Sequence, residues 1–413
     1  MKKVVLLGVA AFLFGAVNAQ TSLLSSSVSG KTYSYNPATT PLFKGDEITT
    51  GPTAGPVDFR SAGEAAGSTV LGETYYDLQT NSSVARRLLN FGDGTLTAVW
   101  TIAPDATGFP DRGTGYAHFD GTQWNPSYVT ARLENLRTGW PSLNIYNNNE
   151  VVFSHDAATY TLQEGMNTSI GSNSTFTFNL CGASIQVAPS NQGSIWNRAA
   201  VTDDGTTKTL HVISNFADTL VIMNGVKRPF VYNKSTDGGA TWNSTAILLP
   251  GFDSNRHTYG AADDYDIDAN GNTVAIVQGG LGDDLTMWKS TDGGTTWNRT
   301  LVDSFEFAPD YATNPNTPFD TELPTNDGSM SVIVDNTGLV HVAYAGSGVE
   351  MSSTQGSVFF PGTMDLRYWH EGMDTAVSVP ILLADVDADG DGTYAVGTAT
   401  TNADGTTDRK SVV

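Results

Sequence analysis

An all-β fold assembled from repeated units is what this 413-residue sequence predicts, on three observations. Short apolar runs alternate with turns rich in Gly, Asn and Asp, the residues that accept the positive φ of tight hairpins. The same strand–turn–strand pattern returns along the chain, and apolar residues at helical spacing are almost absent. Together these observations indicate many short antiparallel strands and no helical layer.

The repeated unit is a hairpin that occurs five times from residue 80 onward. Its turns read GDG, NNN, DDG, ANG and NTG, centred near residues 93, 148, 204, 270 and 337. The interval of about 55 to 67 residues leaves room for four strands in each unit. Four-stranded units at this interval, without helices, predict a β-propeller, and we expect six blades when it is complete.

Composition divides the chain into four parts. Residues 1–19 combine a basic start, an apolar stretch and a small-residue cleavage site, which predicts a signal peptide and a secreted or surface-displayed protein. Residues 20–79 lack periodicity, and we expect an extended segment that could add one edge strand. The propeller is expected over 80–407. The last residues, 408–413, back-translate to a string that resembles a sequencing adapter, which predicts a non-native tail on a chain truncated at its C-terminus.

Charge and composition exclude some classes of partner. The formal net charge of −22 disfavours nucleic acid, which is itself polyanionic. After the signal peptide we find no apolar run of membrane-spanning length, so we expect no membrane span in the mature chain. Cations are plausible partners of so acidic a chain.

Two loops share nine of ten letters, KSTDGGATWN at 234–243 and KSTDGGTTWN at 289–298. The Asp carboxylate of each loop can accept hydrogen bonds from the backbone of its own turn, and the Trp can be buried between strands. We therefore expect a structural role for these loops. Their key residues are Ser235, Asp237, Gly239, Trp242, Ser290, Asp292, Gly294 and Trp297.

These loops resemble the Asp-box, also called the bacterial neuraminidase repeat, of secreted bacterial sialidase-like propellers. A shortened version, HFDGTQWN, stands at 118–125. The repeated hairpin pattern extends the resemblance over about 80–413. It implies that the boxes lie on the periphery of the blades. It also implies that a ligand binds at the mouth of the central channel, at the ends of the innermost strands, and that a carbohydrate or a cell-surface glycoconjugate is a possible partner.

The residues just before each hairpin are the candidates for that ligand site. The candidate ligand-binding residues are Arg87, Arg137, Trp140 and Arg198, and Trp196 stands with Arg198 before the hairpin of the third unit. Sialidases bind the substrate carboxylate with three arginines, and the guanidinium fork matches a carboxylate in geometry. The weaker catalytic candidates are Asp263, Asp264, Tyr265 and Asp327.

The sequence departs from the sialidase pattern at two points. Arg60 stands in FRSAG without the Ile-Pro that follows the corresponding arginine in sialidases, and no Tyr–Glu nucleophile pair can be placed. We therefore expect a propeller that binds glycans or a protein partner without catalysis. The alternative is a sialidase-like glycoside hydrolase that acts on acidic glycans.

The stretch DVDADGDGTY at 385–394 is a candidate calcium loop. Asp385, Asp387, Asp389 and Asp391 alternate around a glycine, and their oxygens could surround a hard cation. The twelfth position is Val396, so the usual bidentate carboxylate is missing. A solvated acidic turn remains the alternative.

Overall fold

The structure is a computed structural model, and it describes residues 33–34, 69–379, 400–401 and 407–408, with gaps at 77, 182–192, 219, 258 and 310. The described residues form strands and turns without a helix, which confirms the all-β prediction. Across them there is accordingly no helix long and apolar enough to cross a bilayer.

In the described residues, five antiparallel sheets form the blades, four of them four-stranded and one five-stranded. The first blade contains β2 (Leu88–Asn90), β3 (Leu96–Ile102), β4 (Gly113–Phe119) and β5 (Trp124–Asn125). The second contains β6 (Thr138–Tyr146), β7 (Asn149–Asp156), β8 (Leu162–Asn167) and β9 (Phe176–Leu180). The third contains β10 (Ser194–Asp203), β11 (Lys208–Phe216), β14 (Phe230–Ser235) and β15 (Ser244–Ile247), with a small inserted hairpin of β12 (Ile222–Met223) and β13 (Val226–Lys227).

The fourth blade contains β16 (Tyr265–Asn270), β17 (Thr273–Gln278), β18 (Leu285–Ser290) and β19 (Asn298–Asp303). The fifth contains β20 (Leu323–Val334), β21 (Val340–Ser352), β22 (Gly356–His370) and β23 (Val377–Ser378), and β1 (Tyr33–Ser34) pairs with β22. Beyond residue 379 the structure describes only β24 (Thr400–Thr401) and β25 (Thr407–Asp408), which pair with each other. The predicted sixth blade falls mostly outside the described residues.

The five predicted hairpins are confirmed as the turns between the first two strands of each blade. Their left-handed positions carry the expected residue types, for example Asn147, Asn148 and Gly205, with φ of 51°, 61° and 85°. Because Asn and Gly reach this region at low cost, the local sequence fixes where each pair of strands turns.

Hydrophobic side chains fill the space between neighbouring blades. One cluster joins the third blade to the fourth and includes Phe230, Tyr265 and Trp288, each at most 1% exposed. The innermost strands β6, β10, β16 and β20 contact one another in sequence around the ring. This stacking holds the start of each innermost strand next to the start of its neighbour.

A short stretch before β2, residues 80–87, which we call the central segment, links several blades. The backbone N–H of Ser83 donates to Asp263 O (2.9 Å) and its hydroxyl to Gly328 O (3.1 Å). Arg86 bonds Asn144 Oδ1 of the second blade (3.2 Å) and pairs with Asp268 of the fourth. The central segment therefore contacts the second, fourth and fifth blades.

Both Asp-box loops lie in the turn between the third and fourth strands of their blades. Asp237 accepts hydrogen bonds from the backbone and hydroxyl of Thr241, and these bonds lower the pKa of its carboxyl. Trp242 packs at 6.3 Å from Phe153 of the preceding blade, and Trp297 at 5.1 Å from Tyr232. Each box therefore covers the seam with the preceding blade.

Candidate functional site

The innermost strands of three consecutive blades begin with backbone strain. Trp140, Trp196 and Asp263 have φ of 53°, 53° and 61°, although none is glycine. The pairing of β6 with β7 and of β10 with β11 shifts register at the two tryptophans. Residues other than glycine persist in this region only where surrounding contacts hold them, and such strain concentrates at ligand sites. These three positions mark one mouth of the ring, which we call the mouth.

Asp263 connects the groups at the mouth. Its Oδ2 accepts bonds from the indole of Trp140 (3.1 Å) and from the backbone of Asn81 (3.0 Å), while Oδ1 lies 3.0 Å from the guanidinium of Arg198. Asp263 is 0% exposed and Arg198 is 1% exposed. A buried ion pair with this many hydrogen bonds positions its surroundings, so Asp263 acts as an anchor for the mouth.

The structure brings two of the three predicted arginines together. Arg87 lies close enough to Arg198 and Asp263 for both charges to affect its pKa, which burial lowers to about 10. Arg137 instead donates to Phe109 O (2.8 Å). A different arginine, Arg228, stacks on Trp196 with 4.3 Å between guanidinium and ring. Arg228 comes from the base of the inserted hairpin, for which the blade repeat gave no signal.

Among the described residues, buried polar atoms without hydrogen-bond partners concentrate in the third and fourth blades. Their side chains are each at most 1% exposed. They are Trp196 Nε1, both amide atoms of Asn197, Arg198 Nε, Ser214 Oγ, Asn215 Oδ1, Arg228 Nη2, Asp264 Oδ1 and Gln278 Oε1. Leaving such an atom unpaired costs about 1–3 kcal/mol, so this cluster of donors and acceptors calls for water or a polar ligand.

Asp264 differs from its neighbour Asp263 in environment. Its Oδ2 accepts bonds from Ala261 N (3.1 Å) and Gln278 Nε2 (3.0 Å), while no cation pairs with it in the described part of the chain. Burial raises the pKa of Asp264 to about 7. At neutral pH this carboxyl is therefore partly protonated, while an ordinary aspartate is ionised.

A second carboxylate stands across a glycine from Asp264. A Cβ at Gly280 would lie 3.7 Å from Asp264 Oδ2 and 3.8 Å from Asp283 Oδ2, so both acids border the space that this glycine leaves open. Asp283 is half-buried, and Asn326 of the fifth blade donates to its backbone oxygen (3.1 Å). The two acids thus meet at the seam between the fourth and fifth blades.

The other sequence candidates occupy different positions. Tyr265 is fully buried in the core, and its hydroxyl donates to Trp196 O (2.7 Å). Asp327 accepts a bond from Ser329 N (2.7 Å) and precedes Gly328, where a Cβ would lie 3.5 Å from Asp264 Cβ. The candidate calcium loop 385–391 lies outside the described residues. Within the described ranges, no three His, Cys, Asp or Glu side chains group to hold a metal ion.

Several residues of the mouth were not predicted from the sequence. Asp283 belongs to the glycine-rich loop GGLGDD between β17 and β18, where the pair of acids after the glycines was the available signal. Asn197 stands between two predicted residues. Gln278 and Arg228 showed no motif, because their position depends on how the blades pack.

Comparisons with known proteins give structural likeness only. No family model and no curated protein matches the sequence. A family PL25 ulvan lyase is similar at a TM-score of 0.43 and 12% identity, over 74% of each chain. An α-L-arabinofuranosidase from Podospora anserina, solved with cellotriose, gives 0.39 and 12% over 74% of this chain and 95% of that one. The GH62 α-L-arabinofuranosidase of Coprinopsis cinerea gives 0.39 and 12% over 71% and 96%.

At these identities the likeness concerns the arrangement of strands and says nothing about the substrate of this chain. The resemblance to Asp-box sialidases rests on the two sequence motifs alone, since no family model matches.

Proposed function

We propose that this protein is a carbohydrate-active propeller that binds a glycan at the mouth and hydrolyses a glycosidic bond there. One observation carries the proposal: Asp264 and Asp283 face the same space beside Gly280, and Asp264 is buried with a pKa raised to about 7. Glycoside hydrolysis uses one carboxyl group that holds a proton and one that is ionised. This favours the hydrolase alternative over binding alone.

In this mechanism Asp264 donates its proton to the glycosidic oxygen as the bond to the anomeric carbon breaks. Asp283 accepts a proton from a water molecule, whose oxygen forms the new bond to that carbon. The unpaired donors and acceptors of Trp196, Asn197 and Gln278 suit the hydroxyl groups of a sugar. Asp263 pairs with Arg198 and serves to hold the mouth together.

Binding without catalysis is the second candidate function. The observation that favours it is the burial of the mouth, since Asp263 and Asp264 are at most 1% exposed. A site that binds sugar hydroxyl groups through neutral or ion-paired side chains needs no side chain that donates a proton to the glycosidic oxygen. The finer sialidase type also stays a proposal: it requires Arg87 and Arg198 to meet the carboxylate of a sialic acid.

The substitution Asp264→Asn tests catalysis with little change of shape. We expect turnover of aryl glycosides or polysaccharide ends to fall at least about 100-fold, as for the loss of a general acid. Because the protonated form is active, wild-type activity should also fall as pH rises through about 7. Asp320→Asn, at an exposed aspartate that caps Ser353, is the matched control. Glycan binding with no turnover by the wild type across neutral, uronic and sialic substrates would leave only the second candidate.

Secretion and calcium binding also stay proposals, because residues 1–19 and 385–391 lie outside the described residues. Export should yield a mature chain that starts at Gln20, which N-terminal sequencing would show. If 385–391 binds calcium, adding calcium should raise the melting temperature and a chelator should reverse the shift. Identical melting curves in calcium and in excess chelator would exclude the site.

A further inference from the structure

A cleft of about 440 Å³ opens beside the first blade. Its lining combines aromatic, aliphatic and polar groups: Leu71, Gly72, Thr74, Gln79, Arg87 and Trp100. Clefts that bind small polar ligands have this size and this mixture of an aromatic surface with few polar groups. The hydrolysis steps proposed above use none of these residues, and only the sialidase alternative uses Arg87.

Trp100 lines the cleft. The indole is half-buried, and it lies against Gly115 of the paired strand β4, where a Cβ would come within 2.9 Å of Cζ2. A Cβ at Gly72 would lie 3.2 Å from the same ring. The two glycines thus let the ring lie close to the backbone, which fixes the orientation of a large apolar surface beside the cleft.

Arg87 brings a positive charge to the same cleft. Its guanidinium donates to the side-chain oxygen of Gln79 (2.6 Å) and to the backbone oxygen of that residue. Gln79 is itself held by Thr101, whose N–H donates to Oε1 (3.0 Å). Among the described residues no carboxylate lies within ion-pair distance of Arg87, although the more distant charges of Asp263 and Arg198 act on it. A guanidinium held in this way suits a carboxylate or a sulfate.

We propose that the cleft is a sugar-binding subsite, in which a pyranose ring packs on Trp100 and an acidic group of that sugar meets Arg87. The apolar face of a sugar ring covers the indole, while its polar substituents remain near Arg87 and water. A local cation is needed because the chain carries a net charge of −22, which disfavours an anionic ligand elsewhere. The subsite rests on the proposed carbohydrate ligand but not on hydrolysis.

Calorimetric titration of the full chain tests the subsite with trigalacturonate, galactotriose and galactose 6-sulfate. We expect trigalacturonate to bind and Trp100→Ala to weaken it at least about tenfold, with Trp100→Phe close to wild type. Arg87→Gln should weaken the acidic probes and leave galactotriose unchanged. Trp124→Ala is the matched control, because Trp124 lies on the same blade and packs on Phe119 (5.5 Å). Galactose 6-sulfate shows whether the anion must be a carboxylate.

Two results would overturn the subsite. One is that none of the three probes binds the wild type, and the other is that Trp100→Ala binds trigalacturonate as the wild type does. Failure of the subsite and failure of the hydrolysis proposal give different results. Binding that depends on Trp100 in a protein without turnover would reject catalysis alone, and turnover with KM unchanged by Trp100→Ala would reject the subsite alone.

Discussion

Outside the mouth, burial also changes the pKa of single residues. Glu164, on β8, is 4% exposed, and its Oε1 has no hydrogen-bond partner in the part of the chain that the structure describes. Burial, with a smaller effect of the nearby Asp237 charge, raises the pKa of Glu164 to about 7. Gly239 of the Asp-box lies directly over this carboxyl, where a Cβ would collide with it. The acid is therefore enclosed by the loop that covers the seam.

The pH dependence of stability follows from this shift. The folded pKa of Glu164 lies near 7 and the unfolded value near 4.5, so the folded state holds the proton more tightly between these values. The stabilisation is fully present below about 4.5 and is lost as pH rises through about 7. The free energy of unfolding of Glu164→Gln, taken relative to that of the wild type, should therefore rise by about 1–3 kcal/mol from pH 4 to pH 8.

Denaturant unfolding of both proteins at the two pH values measures this gain. Taking the difference between variant and wild type removes the contributions of Asp264 and Asp266, whose raised pKa values act in the same direction. A difference that does not change with pH would show that Glu164 is not enclosed as described.

Part of the mouth was predictable from the sequence, and the physical reason is the repeat. Trp140, Trp196 and Asp263 occupy the same position in successive blades, so the hairpin rhythm was enough to bring them together. Arg228 and Asp283 come from an inserted hairpin and a connecting loop. Their paths depend on packing between blades, which local propensity does not report.

At the scale of elements, the glycines of the Asp-box turns lie in close contact with side chains of the preceding blade. Gly294 has φ of 75°, and a Cβ there would collide with the hydroxyl of Tyr232 on the preceding blade. Gly205, in the hairpin of the third blade, has φ of 85°, and no atom of the described residues lies within 4 Å of its Cβ position. The two positions share the backbone requirement and differ in the space around them.

Gly294→Ala should therefore cost more stability than Gly205→Ala. The left-handed backbone costs an alanine about 1–2 kcal/mol at either position. Displacing Tyr232 should add about 1–3 kcal/mol at position 294 alone. Thermal and denaturant unfolding of the two variants measure the two losses of stability. Equal losses would show that Gly294 is not in close contact with Tyr232.

The strands themselves were predictable because characteristic residue types occupy the turns between them. Each hairpin carries Asn, Asp or Gly where the backbone needs positive φ, and each full box repeats its own hydrogen-bond acceptor at Asp237 or Asp292. The inserted hairpin was missed because it interrupts the rhythm of the third blade. Its own turn, Asn224–Gly225, is as regular as the others.

Across the whole molecule, the central segment opposes separation of the blades. Arg86 contacts the second blade through Asn144 and the fourth through Asp268, and its backbone oxygen accepts a bond from Leu143 N (2.8 Å). Asp268 in turn accepts a bond from Val334 N of the fifth blade (2.9 Å). One side chain at the centre therefore links contacts that lie on three blades.

Arg86→Leu should lower the stability of the whole ring while leaving each blade's hydrogen bonding intact. Its side chain is 36% exposed and that of Asp268 is 12% exposed, so we expect a moderate loss of about 1–2 kcal/mol. Lys208→Met is the matched control, since Lys208 pairs with Asp203 inside one hairpin at 3.4 Å. Denaturant unfolding should show a lower midpoint for Arg86→Leu alone, with a shallower transition if blades then unfold separately. Equal midpoints for the two variants would show that the blades hold together without the central segment, because packing between their sheets would then be sufficient.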